Sequence, residues 1–107
     1  MNCFIAGTDT GVGKTHVTKI LLEELRANGI DAVGYKPIVC GDREDAELLA
    51  AASGGVAIDD VNPLWLKTAA APWIAAQLEN RSIAIEPLIE GYLTLAQRHE
   101  LVLVEGI

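Results

Sequence analysis

Cysteine is scarce in this chain. Only Cys3 and Cys40 occur, with no C-x-x-C pair and no metal-ligand spacing, which excludes a disulfide scaffold and a cysteine-built metal site. Two reduced cytosolic thiols are therefore expected. Cations are also few, with eight Lys and Arg against fifteen Asp and Glu for a net charge of -7. Because those eight are scattered along the chain, no basic patch is expected to hold a phosphate backbone, and nucleic acid is not an expected partner. Long apolar runs are missing too. The most apolar stretch, residues 69–78, is too short to span a bilayer and contains Pro72. Met1-Asn2-Cys3-Phe4 has neither the basic start nor the long apolar core of a secretory leader, so a cytoplasmic protein with no membrane partner is expected. There is no internal repeat and no low-complexity linker.

What is present is a globular composition, 50% hydrophobic and 21% charged, over 107 residues. That length reads as one domain, 1–107, yet it is small for a parallel α/β sheet covered on both faces. The last residues, Leu101-Val102-Leu103-Val104-Glu105-Gly106-Ile107, read as a buried strand with its following loop just begun. The expectation is a domain truncated after Ile107.

The most informative segment is Gly7-Thr8-Asp9-Thr10-Gly11-Val12-Gly13-Lys14-Thr15, between an apolar strand at residues 3–6 and an amphipathic helix. Strand, Gly-rich turn and helix in that order make a phosphate-binding loop. Backbone N–H groups from Gly11, Val12, Gly13 and His16 and the helix N-terminus suit phosphate oxygens. The Lys14 ammonium suits the β- and γ-phosphates, and the Thr15 hydroxyl suits Mg²⁺. The spacing departs from G-x-x-x-x-G-K-[ST], since the upstream glycine is Gly7 where the pattern wants one at Thr8. The inserted Thr-Asp-Thr leaves room for a second substrate near the γ-phosphate, with Thr10 as a candidate contact.

Beyond the loop, a helix is expected over 15–28, with Val17, Ile20, Leu21 and Leu25 as its apolar stripe, Glu23, Glu24 and Arg26 outward, and Asn28-Gly29 as its stop. A strand over 32–35 is ended by Lys36-Pro37, which puts Lys36 at a carboxyl end, where open α/β sheets bind ligands. A short helix over 42–52 opens with four acids, residues 56–68 read as irregular with an Asn62-Pro63 turn, and Trp65 reads as packing. Further helices are expected after Pro72 (73–78) and over 86–99, the latter with Leu88, Ile89, Tyr92, Leu93 and Ala96 as its stripe and Gly91 as a mild weakness. The strand over 101–104 places Glu105 at another carboxyl end, within reach of Mg²⁺ directly or through water. The expected fold is α/β, a P-loop NTPase-type three-layer sandwich with a mostly parallel sheet, of which only the N-terminal part is present.

The order of the phosphate loop, Gly34-Tyr35-Lys36-Pro37, Asp45-Ala46-Glu47-Leu48-Leu49 and Val104-Glu105-Gly106 resembles that of the dethiobiotin synthetase family, over the N-terminal half of its members. The resemblance implies an ATP-dependent ring closure in biotin biosynthesis. In it, 7,8-diaminononanoate and CO₂ form a carbamate, ATP phosphorylates it to a mixed anhydride, and the second amine closes a cyclic urea. It implies Lys36 and Lys14 as catalytic, and Gly11 through His16, Asp45, Glu105 and Gly106 around ATP. Thr15, Asp45 and Glu105 match the Mg²⁺ positions, and a homodimer is implied. At the metal position Asp42 or Glu44 can be confused with Asp45. Cys40 stands near where the family commonly has a substrate-contacting serine, and Trp73 stands where a histidine is common. Two other readings remain: another ATP-dependent synthase or amidotransferase of the superfamily, such as the cobyrinate diamide type, and a non-catalytic nucleotide-sensing module.

Overall fold

A computed structural model describes residues 2–5 and 12–106. Three strands, β1 (Asn2–Ile5), β2 (Ala32–Tyr35) and β5 (Leu101–Glu105), form a parallel sheet in the order β1-β5-β2. β5 lies in the middle because Leu101-Val102-Leu103-Val104 is apolar on both faces, as a strand flanked and covered on all sides requires. Two further strands, β3 (Ile38–Cys40) and β4 (Leu64–Leu66), pair in parallel as a second small sheet. Among the described residues every strand pairing is parallel, so each strand must be reached by a crossover.

Helices α1 (Val12–Ala27) and α2 (Glu44–Ala52) cover one face of the sheet, where Leu22, Leu49 and Ala50 pack with Ala32 and Leu103. Helix α5 (Glu86–Arg98) covers the other, where Leu95 packs with Val33, Tyr35 and Val102. Alternate residues of β2 and β5 thus feed two cores, which is the period-two signature of a sheet between helical layers. The three layers are as expected. Helices α3 (Ile58–Val61) and α4 (Pro72–Leu78) complete the described elements, and α4 packs Ala75 and Ala76 against Leu66 beside the small sheet. Among the described residues no helix is long and apolar enough to cross a membrane.

Helix α1 ends as its sequence suggests. Gly29 adopts φ +81, Ile30 N donates to Leu25 O at 3.0 Å and Gly29 N to Arg26 O at 3.0 Å, an arrangement that satisfies the last carbonyls and needs a residue without Cβ. Its buried face, however, is rotated from the expected stripe. Val17, Ile20 and Leu21 are exposed, while Thr15, Thr18 and Leu22 are buried and Leu25 and Arg26 are half-buried. The period is right but the phase is set by the site end of the helix, where two threonines turn inward: Thr15 toward β5 and Thr18 onto the Lys14 carbonyl at 3.0 Å. Helix α5 departs less from its expected stripe: Leu88, Tyr92 and Ala96 are half-buried as expected, but Leu95 is the buried residue and Ile89 and Leu93 are exposed.

The segment expected to be irregular, 56–68, instead contains α3 and β4, and β3 was not anticipated. Both small strands are only three residues long, too short for a periodic signal. Trp65 packs as expected: its Nε1–H donates to Gly41 O at 2.7 Å, and Arg43 and Lys67 lie over its ring.

Gly91 has a role that helix propensity does not suggest. A Cβ there would sit 2.7 Å from the Tyr35 hydroxyl oxygen. The buried Tyr35 ring is itself fixed, since its hydroxyl donates to Leu88 O at 2.6 Å, and burial pushes its pKa up to about 12. An exposed helical Gly→Ala change gains about 1 kcal/mol, whereas overpacking a fixed contact costs about 1–3 kcal/mol. Gly91→Ala is therefore expected to lower the unfolding temperature by several degrees, and the Tyr35→Phe/Gly91→Ala double variant to recover most of that loss relative to Tyr35→Phe alone. Thermal unfolding monitored by circular dichroism checks both.

Candidate functional site

The register of the sheet decides what meets at its carboxyl edge. Ile5 pairs with Glu105 and Tyr35 with Val104, so β1, β5 and β2 all end together. The chain enters residues 6–11 from the end of β1, leaves β5 through Gly106, and leaves β2 through Lys36. Three positions far apart in sequence thereby share one edge, where ligands of open α/β sheets bind.

Glu105 is the centre of this edge. It is completely buried, and its Oε1 accepts from the Thr15 hydroxyl at 2.7 Å and from Lys36 Nζ at 2.9 Å. Lys36 Nζ also donates to Gly106 O at 3.3 Å. At 8% exposure Lys36 is not a solvated surface lysine. Its ammonium has three donors and uses two on these acceptors. Glu105 Oε2 is buried and has no hydrogen-bond partner among the described residues. Leaving a buried charged oxygen unmatched costs about 1–3 kcal/mol or more, so such an atom points to something that joins the site.

That donor set suits Mg²⁺. Thr15 commits its proton to Glu105 and keeps its oxygen lone pairs, and Glu105 keeps a whole oxygen. A hard cation that takes one or two protein oxygens and fills its shell with water and phosphate needs no more. Among the described residues no group of three or more His, Cys, Asp and Glu side chains is placed to hold a metal unaided.

The remaining sequence candidates are distributed as follows. Gly13, Lys14 and His16 lie in the first turns of α1, with Lys14 half-buried and Gly13 and His16 exposed. Thr10 and Gly11 lie outside the described residues, as does the side chain of Val12. Asp45 is half-buried in the first turn of α2, and its carboxylate forms neither a hydrogen bond nor a salt bridge with Thr15, Lys36 or Glu105. Cys40 ends β3 and packs against the small core of Leu66, Ala75 and Ala76. Burial, and after it the Glu79 charge, push its thiol above the usual range, which suits a packed thiol more than a reactive one. The structure thus brings Thr15, Lys36, Glu105 and Gly106 together, and leaves Asp45 and Cys40 outside that hydrogen-bonded group.

Two residues at this edge are not among the expected site residues. Asn62, fully buried, donates from Nδ2 to the Lys36 carbonyl at 2.9 Å, and Arg43 in turn donates from Nε to Asn62 Oδ1 at 2.9 Å. An Asn before a Pro reads as a turn residue, and only the fold shows that its amide faces inward.

Comparison with known proteins identifies the family. A family profile described as AAA domain matches residues 1–107. The chain is 43% identical over 107 residues to the ATP-dependent dethiobiotin synthetase of Akkermansia muciniphila, covering 99% of this chain and 50% of that protein. It is 44% identical to the enzyme of that name from Anaeromyxobacter dehalogenans (96% of this chain, 48% of that one) and 42% identical to that of Vibrio campbellii (96% and 49%). The chain spans about half the length of these curated relatives. With the profile covering the whole chain, the chain belongs to the AAA domain family.

Proposed function

We propose that this chain is the nucleotide- and carbamate-activating part of an ATP-dependent dethiobiotin synthetase. The observation that carries the reading is the meeting of Thr15 and Lys36, from distant parts of the chain, on the buried Glu105 carboxylate, whose second oxygen has no partner among the described residues. The likeness to curated dethiobiotin synthetases at 42–44% identity supports it.

The chemistry follows from what a carbamate lacks. One amine of 7,8-diaminononanoate adds to CO₂ and loses a proton, giving a carbamate whose oxygens are poor leaving groups. A carbamate oxygen attacks the γ-phosphorus of ATP, the bond to the ADP oxygen breaks, and a mixed carbamic–phosphoric anhydride forms. The second amine then attacks the carbonyl carbon, phosphate leaves, and the cyclic urea closes. Lys36, anchored on Glu105 and Gly106 O, offers a fixed positive charge to the carbamate and the transferring phosphoryl group. Lys14 serves the β- and γ-phosphates, with Gly11 through His16 around them. Thr15 and Glu105, with Asp45 from α2, would hold Mg²⁺, which when bound adds charge stabilisation at the phosphates. Thr10 and Cys40 are assigned to the diamine side. The working protein is proposed to be a cytoplasmic homodimer.

The test is product formation by the complete protein that carries this chain. With the diamine, bicarbonate and MgATP it is expected to give dethiobiotin, ADP and phosphate in equal amounts, with no product when ATP is omitted. ATP hydrolysis without any cyclic urea in the presence of the diamine would overturn the reading.

A further inference from the structure

Lys36 lies just beyond the end of β2, where the chain turns toward β3 through Pro37, which has no N–H to donate. Such a bend cannot be held by a strand ladder alone. Here it is held by the 61–64 segment. Lys36 N donates to Val61 O at 2.9 Å, Leu64 N donates to Pro37 O at 3.1 Å, and Asn62 Nδ2 donates to Lys36 O at 2.9 Å and Leu64 O at 2.9 Å, with a longer 3.4 Å approach to Pro37 O.

Asn62 is in turn fully engaged. Its backbone N donates to Ile58 O at 2.8 Å, Arg43 Nε donates to its Oδ1 at 2.9 Å, and Arg43 Nη2 donates to its backbone O at 2.8 Å. Arg43 is itself positioned by Asp59 at 2.8 Å and by the Trp65 ring. A fully buried amide with every donor and acceptor matched is rigid, and breaking one member costs the rest.

We infer that Asn62, clamped by Arg43, is a positioning residue for Lys36: it fixes the lysine backbone so that the ammonium reaches Glu105 and Gly106 and is held ready for an anionic substrate. Its side chain is taken up by protein groups alone. The inference rests on the proposed function for the role of Lys36. Its physical basis is that a charge offered to a transition state must be held before the reaction, and a misplacement of about 1 Å costs on the order of a hundredfold.

The test is a double-mutant cycle in the complete protein, with turnover normalised to nucleotide-binding sites so that unfolded protein does not count. Asn62→Ala is expected to lower kcat on the order of tenfold or more in the wild-type background, with the KM for ATP little changed. In a Lys36→Gln background the same change is expected to cost less than about twofold, because the residue acts only through the lysine. Should Asn62→Ala fold poorly, Arg43→Gln removes the clamp while leaving the amide, and is expected to show the same background dependence with a smaller loss. An equal cost in both backgrounds, or no cost in the wild type, overturns the inference and leaves the site reading intact. Near-normal turnover of Lys36→Gln alone overturns the site reading, and the inference with it.

Discussion

Lys36→Gln is expected to lower kcat by about a hundredfold or more, while the KM for ATP changes far less. The glutamine side chain ends one bond short of Nζ, which lies 2.9 Å from Glu105 Oε1, so the variant removes the charge and with it most of this contact. Charge is what the carbamate and the transferring phosphoryl group need, because negative charge is redistributed over both in the transition state of that step. Lys36→Arg tests geometry separately. It keeps the cation, but its planar fork does not match one oxygen of Glu105 and one carbonyl of Gly106 as the ammonium does, and it is expected to restore only part of the rate. Steady-state kinetics with the diamine saturating checks both. Turnover of Lys36→Gln within a few-fold of wild type would return Lys36 to a structural partner of Glu105.

Much of this site is legible in the sequence. The phosphate loop, Lys36 after a short strand and Glu105 at the end of an apolar one are local patterns, and each places its residue at a carboxyl edge without knowledge of strand order. That Thr15 and Lys36 converge on the same oxygen of Glu105 is not local. It depends on β5 lying between β1 and β2, although it is the last of the three in the chain. The faces of the helices were less legible for a physical reason. Hydropathy ranks Val17, Ile20 and Leu21 above Thr15 and Thr18, yet the threonines are inside, because a hydroxyl with a partner is buried at little cost. Asn62 was hidden in the same way. Its environment is made of carbonyls from residues 36, 37 and 64 and a guanidinium from residue 43, and none of those neighbours is implied by an Asn-Pro pair.

Glu105→Gln is expected to raise the Mg²⁺ concentration needed for half-maximal turnover at least about tenfold and to cut kcat by about a hundredfold, the second-largest loss after Lys36. Two consequences of the substitution act together. Lys36, 8% exposed, loses its counter-charge, and removing one partner of a buried ion pair costs about 3–5 kcal/mol where nothing replaces it. The amide oxygen can still accept from Thr15 and Lys36, so the actual loss of stability is expected to lie below that range, seen as a fall of several degrees in unfolding temperature without ligand. The other consequence falls on the metal. Oε2, buried and without a partner among the described residues, becomes an amide nitrogen with two protons, which cannot ligate a cation and would be directed at one. Glu105→Asp separates these effects, since it keeps the charge but withdraws it by one methylene, and is expected to retain more Mg²⁺ affinity than Glu105→Gln while still disturbing Lys36. Titration of activity with Mg²⁺ at fixed ATP, alongside thermal unfolding with and without MgATP, distinguishes them. If Glu105→Gln shifted stability but left the Mg²⁺ titration unchanged, the carboxylate would be an anchor for Lys36 and Thr15 alone, and the spare oxygen would have to be matched by something other than the metal.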